Sequence, residues 1–287
     1  MKRAFLKLLR MTLKISPKFL KNLAFRLPFS RFFKLASWLF WSEEIILWRS
    51  VFVKINPGRI LEYFLYFFGA YSEEEIKKLI EFCKESHVFA DVGANIGLVS
   101  LAVAYAYPRL EVFAFEAGHK AAGEFCLNLS LNPEMSERVH LVEKAAAEEN
   151  GDLFFYPGLN CKEMELGRTM KDDPHSSSGY RVSGVRLDTF FRQLGKYPEV
   201  VKIDVEGAEL QVLNGMKGLF EIGLPKFMLI EVHPCYFTRD VLDYKTKIKS
   251  ILEESNYDLF LYNNGRQQKL PAPRDWPGRL HILAFRK

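Results

Sequence analysis

Four short strings in this chain combine glycine turns with acids at the ends of apolar runs, and together they set up a site for a nucleoside and a proton transfer. In Phe89–Gly97, FADVGANIG, an apolar run ends in Asp91, a turn follows with Gly93 and Asn95, and Gly97 opens an apolar helix. Gly93 lets backbone pass without a Cβ in the way, and Asn95 tolerates left-handed geometry. Glu116 closes the next run, VFAFE, 25 residues after Asp91. An acid at that spacing accepts hydrogen bonds from both hydroxyls of a ribose. In Val201–Glu209, VKIDVEGAE, a third run ends in Asp204, Glu206 and Glu209. Like charges so close cost free energy unless a cation or donors compensate, and active sites bear that cost more often than structural turns do. In LIEVHP, Leu229–Pro234, Glu231 and His233 share one side of an extended segment. His233, Asp204 and Glu231 are therefore the candidate bases. A divalent cation on Asp204 and Glu206 is chemically feasible. None is predicted, because carboxylates at a strand end act without one.

The elements that must position these groups alternate. Helical stretches near residues 72–84, 98–106, 120–131, 208–220 and 240–254 are interleaved with strands near 88–92, 110–115, 139–145, 200–205, 227–232, 257–262 and 280–286. This predicts an α/β doubly wound, mostly parallel sheet with ligands beyond the carboxyl ends of its strands. The last two strands have no helix between them and should pair as a C-terminal antiparallel hairpin. Residues 146–184 break the alternation and predict a β-rich insertion near the active site.

The strings DVGANIG (91–97), FE (115–116), VRLDTF (185–190), VKIDVEGAE (201–209) and EVHP (231–234) together resemble the FkbM family of methyltransferases, over about Gly69 to Arg286. VKIDVEGAE after VRLDTF is the most specific part. The resemblance implies a class I, Rossmann-like methyltransferase sheet, S-adenosyl-L-methionine as methyl donor, and O-methylation of a hydroxyl on a glycan, lipid-linked or natural-product acceptor. It implies that Asp91, Gly93, Asn95 and Gly97 hold the amino-acid end of the cofactor, that Glu116 binds its ribose, and that the acids of VKIDVEGAE, Asp204, Glu206 and Glu209, line the reaction site beside the sulfonium. Ala117 departs from the family, which often has proline there. Two rivals stand against this reading. An NAD-dependent oxidoreductase would carry a fuller GxGxxG fingerprint than Gly93-Ala94-Asn95-Ile96-Gly97. A non-enzymatic membrane-associated binding protein would leave the acidic strand ends unexplained.

Residues 1–68 match no family motif and predict a basic, apolar helical extension to a catalytic domain at 69–287. The net charge is +5, yet residues 1–50 hold eleven Lys or Arg and two acids, +9, which leaves −4 for the rest. MKRAFLKLLRMTLK has the spacing of a basic amphipathic helix, and Phe29 to Trp48 mixes aromatics with bases. Two readings stand equal: reversible contact with an anionic membrane surface, or a helical extension packed on the protein itself or on a second subunit. No uncharged run is long enough to span a bilayer. No nucleic-acid module is visible, so no nucleic acid is predicted. Cys83, Cys126, Cys161 and Cys235 form no CxxC pair and point to a reducing, cytoplasmic setting.

Overall fold

The computed structural model describes residues 43–56, 59–156, 168–170, 179–233 and 240–287. The amphipathic helix expected at the N-terminus and the aromatics up to Trp41 lie outside the described residues, as do Cys161, Pro234, Cys235 and much of the 146–184 insertion. The chain divides into two compact units.

The described residues of the smaller unit are 43–56 and 59–73. They correct the expectation of a wholly helical extension. Glu44–Trp48 (β1) and Val51–Ile55 (β2) form an antiparallel hairpin, followed by the helix Ile60–Phe68 (α1). Arg49 and Ser50 make the two-residue turn with φ of +46° and +66°, the geometry whose twist matches a hairpin. Trp48, expected among the bilayer-facing aromatics, is buried, and its indole N–H donates to the Gly69 carbonyl at 3.2 Å.

The larger unit begins at Glu74, one residue into the helix Glu73–Phe82 (α2), which leads into Val88–Val92 (β3). Leu98–Ala106 (α3), Glu111–Phe115 (β4), His119–Ser130 (α4) and Val139–Val142 (β5) follow. After a short strand, Ala145–Ala146 (β6), come Gly151–Tyr156 (β7), Arg168–Met170 (β8) and Tyr180–Val185 (β9). Leu187–Leu194 (α5) precedes Val200–Ile203 (β10), then Glu209–Asn214 (α6), Lys217–Glu221 (α7) and Phe227–Val232 (β11). Val241–Glu254 (α8), Tyr257–Asn263 (β12), Arg266–Lys269 (β13) and Leu280–Arg286 (β14) complete the chain.

Eight strands form one sheet in the order β13-β12-β14-β11-β10-β3-β4-β5. The five from β11 to β5 run parallel, and β14 is antiparallel to both its neighbours. The expected antiparallel pairing of the last strands holds, with β14 between β11 and β12. The edge is β13, a solvated RQQK strand joined to β12 through an Asn264-Gly265 turn with both φ positive. Its charged and amide side chains blunt further pairing. Every residue of β3 and β10 is buried, as expected of central parallel strands covered on both faces. One face packs Val92, Phe115, Ile203 and Val232 with Phe191 of α5, Leu213 of α6 and Ile248 of α8.

The helix expected over 208–220 is two pieces with Gly215 and Met216 between them, and a Cβ at Gly215 would lie 2.0 Å from the Ala147 carbonyl oxygen. The VRLDTF string proves to be a clamp: the Arg186 guanidinium pairs with Asp188 at 2.6 Å, and Asp188 also accepts from the Gly218 N–H at the start of α7. The described part of 146–184 is β structure, a small sheet in the order β6-β9-β7-β8.

Candidate functional site

The turns after β3, β4, β10 and β11 all open at one end of the parallel sheet, and each contributes to a single constellation. Gly93, Asn95 and Gly97 have φ of +78°, +50° and +85°. A Cβ at Gly93 would lie 1.8 Å from the Asp204 backbone oxygen, so glycine is required here by the close approach to the exit of β10. At Gly97 a Cβ would fall 2.3 Å from the Phe125 ring. The turn is tied down by the Gly93 and Ala94 N–H groups, which both donate to the Phe115 carbonyl.

Glu116 reaches back across this turn. Its Oε2 accepts the Asn95 N–H at 2.7 Å and its Oε1 accepts the Gly118 N–H at 2.8 Å. Burial raises its pKa, more than these two donors lower it. Each carboxylate oxygen retains acceptor capacity for a further donor. The small sheet stands over this segment: Tyr180 stacks on His119 at 4.7 Å and accepts the His119 backbone N–H, and Phe155 packs against Tyr180.

Asp91 is fully buried, accepts from Ser100 Oγ at 2.6 Å, and has Oδ1 3.2 Å from Lys202 Nζ. Lys202 also donates to the Gly93 carbonyl at 3.0 Å and stands 3.5 Å from Asp204. This buried ammonium links the ends of β3 and β10. It was not among the residues singled out from the sequence, although its place on β10, two residues before Asp204, puts it on the same side of the extended segment.

His233, Glu231 and Asp204 come together as their strand positions imply. His233 is buried, with Nδ1 3.3 Å from Glu209 and Nε2 3.1 Å from Glu231 and 3.6 Å from Glu206. Burial alone would lower its pKa, but the hydrogen bonds to Glu209 and Glu231 and the charge of Glu206 push it up to about 10. Glu209 is itself fixed by the Gly207 N–H and by the Tyr244 hydroxyl, 2.5 Å from Oε2. Glu231 faces His281 across the β11–β14 ladder, 3.0 Å away, and is paired with Arg279. Burial works to raise its pKa, yet His233, His281 and Arg279 hold the carboxylate well below the usual range. Glu206 is the opposite case. Burial pushes it up to about 7, against the pull of His233 and with the repulsion of Asp204 and Glu231. Asp204 is raised too, by burial first, with Lys202 opposing. Glu206 stands on a left-handed backbone, φ +52°, next to Gly207. Tyr244, Arg279 and His281 were not assigned roles from the sequence. They arrive from elements far along the chain, which no local pattern signals.

Asp204, Glu206 and His233 also offer three ligand atoms within 4.8 Å of one another, a set able to hold a divalent cation if His233 gave up its proton.

Strand order, buried parallel centre and acid-rich turns at one sheet end define a class I, Rossmann-like methyltransferase fold. The family described as the methyltransferase FkbM domain matches residues 91–259, and the chain belongs to that family. Curated relatives include hexuronic acid methyltransferase AglP of Haloferax volcanii, 28% identical over 59% of this chain and 65% of the relative. Another is 2-O-methyltransferase NoeI of Sinorhizobium fredii, 27% identical over 50% of this chain and 62% of the relative. The chain thus matches less than two thirds of the length of either. Among solved structures, methyltransferase FkbM from Methylobacillus flagellatus KT aligns with 70% of this chain and 43% of its own, at 17% identity and a TM-score of 0.44.

Proposed function

We propose that this protein is an S-adenosyl-L-methionine-dependent O-methyltransferase acting on a hydroxyl of a glycan or related small-molecule acceptor. The observation that carries the reading is the crowding of four carboxylates, Asp204, Glu206, Glu209 and Glu231, at the sheet end that also carries Glu116 and the DVGANIG turn. Such a site favours a nucleoside ligand that bears positive charge. S-adenosyl-L-methionine supplies an activated methyl group on a cationic sulfur. Glu116 keeps lone pairs for the ribose hydroxyls, Asp91 and the turn through Gly93, Asn95 and Gly97 border the amino-acid end, and Asp204 and Glu206 attract the sulfonium.

The catalytic assignment shifts within the cluster. Both ring nitrogens of His233 face carboxylates, so near neutral pH it holds its proton and has no lone pair for another. Its part is to anchor Glu231, Glu209 and Glu206 as a buried cation. Glu231, held ionised by its bonds to His233 and His281 and by the charge of Arg279, is a weak proton acceptor. Asp204 and Glu206 remain, and Glu206, titrating near 7, is the better matched to take the acceptor's proton. Glycan acceptors are favoured because AglP and NoeI are named for a hexuronic acid and for 2-O-methylation. The dinucleotide alternative lacks its fingerprint at Gly93–Gly97.

Calorimetric titration with S-adenosylhomocysteine and with NAD tests the cofactor. Micromolar binding of the first and none of the second is expected, whereas selective NAD binding would sink the proposal. Radiolabelled methyl transfer to uronic acids and their 2-deoxy counterparts then tests the acceptor class.

A further inference from the structure

The basic side chains around the carboxylate cluster are not equivalent. Lys202 is buried and engaged by Asp91, Asp204 and the Gly93 carbonyl. Both ring nitrogens of His233 face carboxylates. So do those of His281, with Glu231 at 3.0 Å and Glu75 at 3.5 Å. Arg279 differs. It pairs with Glu231 through Nε, yet its side chain is 66% exposed, against 10% for Glu231. The four N–H groups on its Nη1 and Nη2 have no partner among the described residues.

The fold fixes where this guanidinium stands. Leu280 opens β14 and pairs with Val232, so Arg279 comes level with His233, where β11 ends. The loop that delivers it is anchored. Trp276 is buried, its indole N–H donates to the Pro271 carbonyl at 3.0 Å, and its own carbonyl accepts from the buried Lys245 of α8 at 2.8 Å. A Cβ at the neighbouring Gly278 would meet nothing within 4 Å, so there is room beside the arginine. Its charge acts on both Asp204 and Glu206. A held cation with spare donors therefore stands beside the carboxylates assigned to the sulfonium and to proton transfer.

The chemistry of that cation selects its ligand. With Nε given to Glu231, the remaining edge of the guanidinium presents paired donors in one plane, the match for the two oxygens of a carboxylate. A phosphate would bring close to two negative charges against Asp204, Glu206 and Glu231, where repulsion is greater. A neutral hydroxyl would gain only an ordinary hydrogen bond.

We propose that Arg279 is a specificity residue that binds a carboxylate of the acceptor, so that the protein selects acidic sugars and similar hydroxy acids over neutral ones. The proposal rests on the O-methyltransferase reading for what then happens to the acceptor. The hydroxyl oxygen bonds the methyl as the methyl–sulfur bond breaks, sulfur keeps the electron pair, and the hydroxyl proton passes to Glu206. The carboxylate itself is held, not methylated.

The test titrates glucuronate, its neutral methyl ester and glucose into the full chain, with and without S-adenosylhomocysteine, read by calorimetry and by the nitrogen-15 shift of arginine Nε. Glucuronate should bind with a millimolar Kd, and the two neutral sugars about tenfold more weakly or worse. Arg279→Gln should bring glucuronate down to the level of glucose and leave the glucose value unmoved, a split that general damage to the site would not give. Arg279→Lys, which keeps the charge without the planar fork, should retain part of the preference; it carries the comparison if Arg279→Gln melts early by circular dichroism. Absence of glucuronate binding, equal binding of glucuronate and glucose, or a preference undiminished in both variants would overturn the proposal. Tighter binding of glucose 6-phosphate than of glucuronate would overturn the carboxylate assignment. Failure of S-adenosylhomocysteine to bind, with glucuronate still selected through Arg279, would sink the methyltransferase reading and leave the anion site standing.

Discussion

Glu116 shows how one carboxylate serves two purposes. It bridges the Asn95 and Gly118 N–H groups, so it orders the turn that precedes α3 before any ligand arrives. Glu116→Ala should therefore weaken S-adenosylhomocysteine binding by about 1.5–3 kcal/mol, roughly ten- to a hundredfold, in a calorimetric titration. Glu116→Gln, which keeps one carbonyl acceptor, should lose less. The acids of VKIDVEGAE and EVHP could be named from their spacing, because strand ends in a doubly wound sheet are where ligands meet charge. Their protonation states could not. His233 as an isolated residue reads as a base, and only Glu209, Glu231 and Glu206 around it turn it into a fixed cation. Nitrogen-15 spectra of the imidazole should show both ring nitrogens protonated from neutral pH up to about 10. Carboxylate carbon-13 titration should place one group, lost in Glu206→Gln, near 7. A His233 that deprotonates near its ordinary 6.5 would return it to the list of bases.

The parallel strands and their helices were legible because two periodicities alternate along the chain, and short apolar runs bounded by Gly, Asn or Pro leave little choice of register. The places that escaped are those where tertiary contact decides. EIILWRSVFVKI is apolar at eight of twelve positions with no regular spacing, so neither period stands out, and its Arg49-Ser50 turn lacks the usual Gly or Asn. Between α6 and α7, Gly215 packs against the Ala147 carbonyl, a contact between residues far apart in sequence. Gly93, read from the sequence as a glycine that lets backbone pass, allows the β3 and β10 exits to touch. Gly93→Ala combines a left-handed backbone with a Cβ 1.8 Å from the Asp204 oxygen. It should cost about 3 kcal/mol in urea unfolding and displace Asp204 from the site. Gly123 in α4 is the control, since a Cβ there meets nothing within 4 Å. Gly123→Ala should stabilise by about 0.5–1 kcal/mol. Equal effects at the two positions would show that backbone preference, not the contact between strand exits, governs Gly93.

The balance of buried charge should also govern how the folded chain responds to pH. His233, Glu206 and Asp204 all have pKa values raised by folding. A raised value means the native state binds more protons than the unfolded one, so the associated stability is complete below the unfolded value and is lost as pH climbs through the folded one. For Glu206 the loss runs from about 4.5 to about 7, and for His233 from about 6.5 to about 10. Glu231 and Asp188 act in the other direction: their values are depressed by cationic partners, so their contribution is present above the ordinary carboxylate range and disappears in acid. The two sets together predict greatest stability on the mildly acidic side of neutrality, then a decline through pH 10 steeper than the chain's modest net charge would produce. A ligand that places positive charge beside Asp204 and Glu206 should flatten the neutral part of that decline, because it replaces the protons those carboxylates otherwise retain. Urea unfolding at intervals from pH 4 to 10, with and without S-adenosyl-L-methionine, reads both effects. The neutral thioether S-adenosylhomocysteine should stabilise without the same flattening. If the two ligands change the pH profile identically, the carboxylate cluster does not sense the sulfonium, and its charge must be balanced by His233, Lys202 and Arg279 alone.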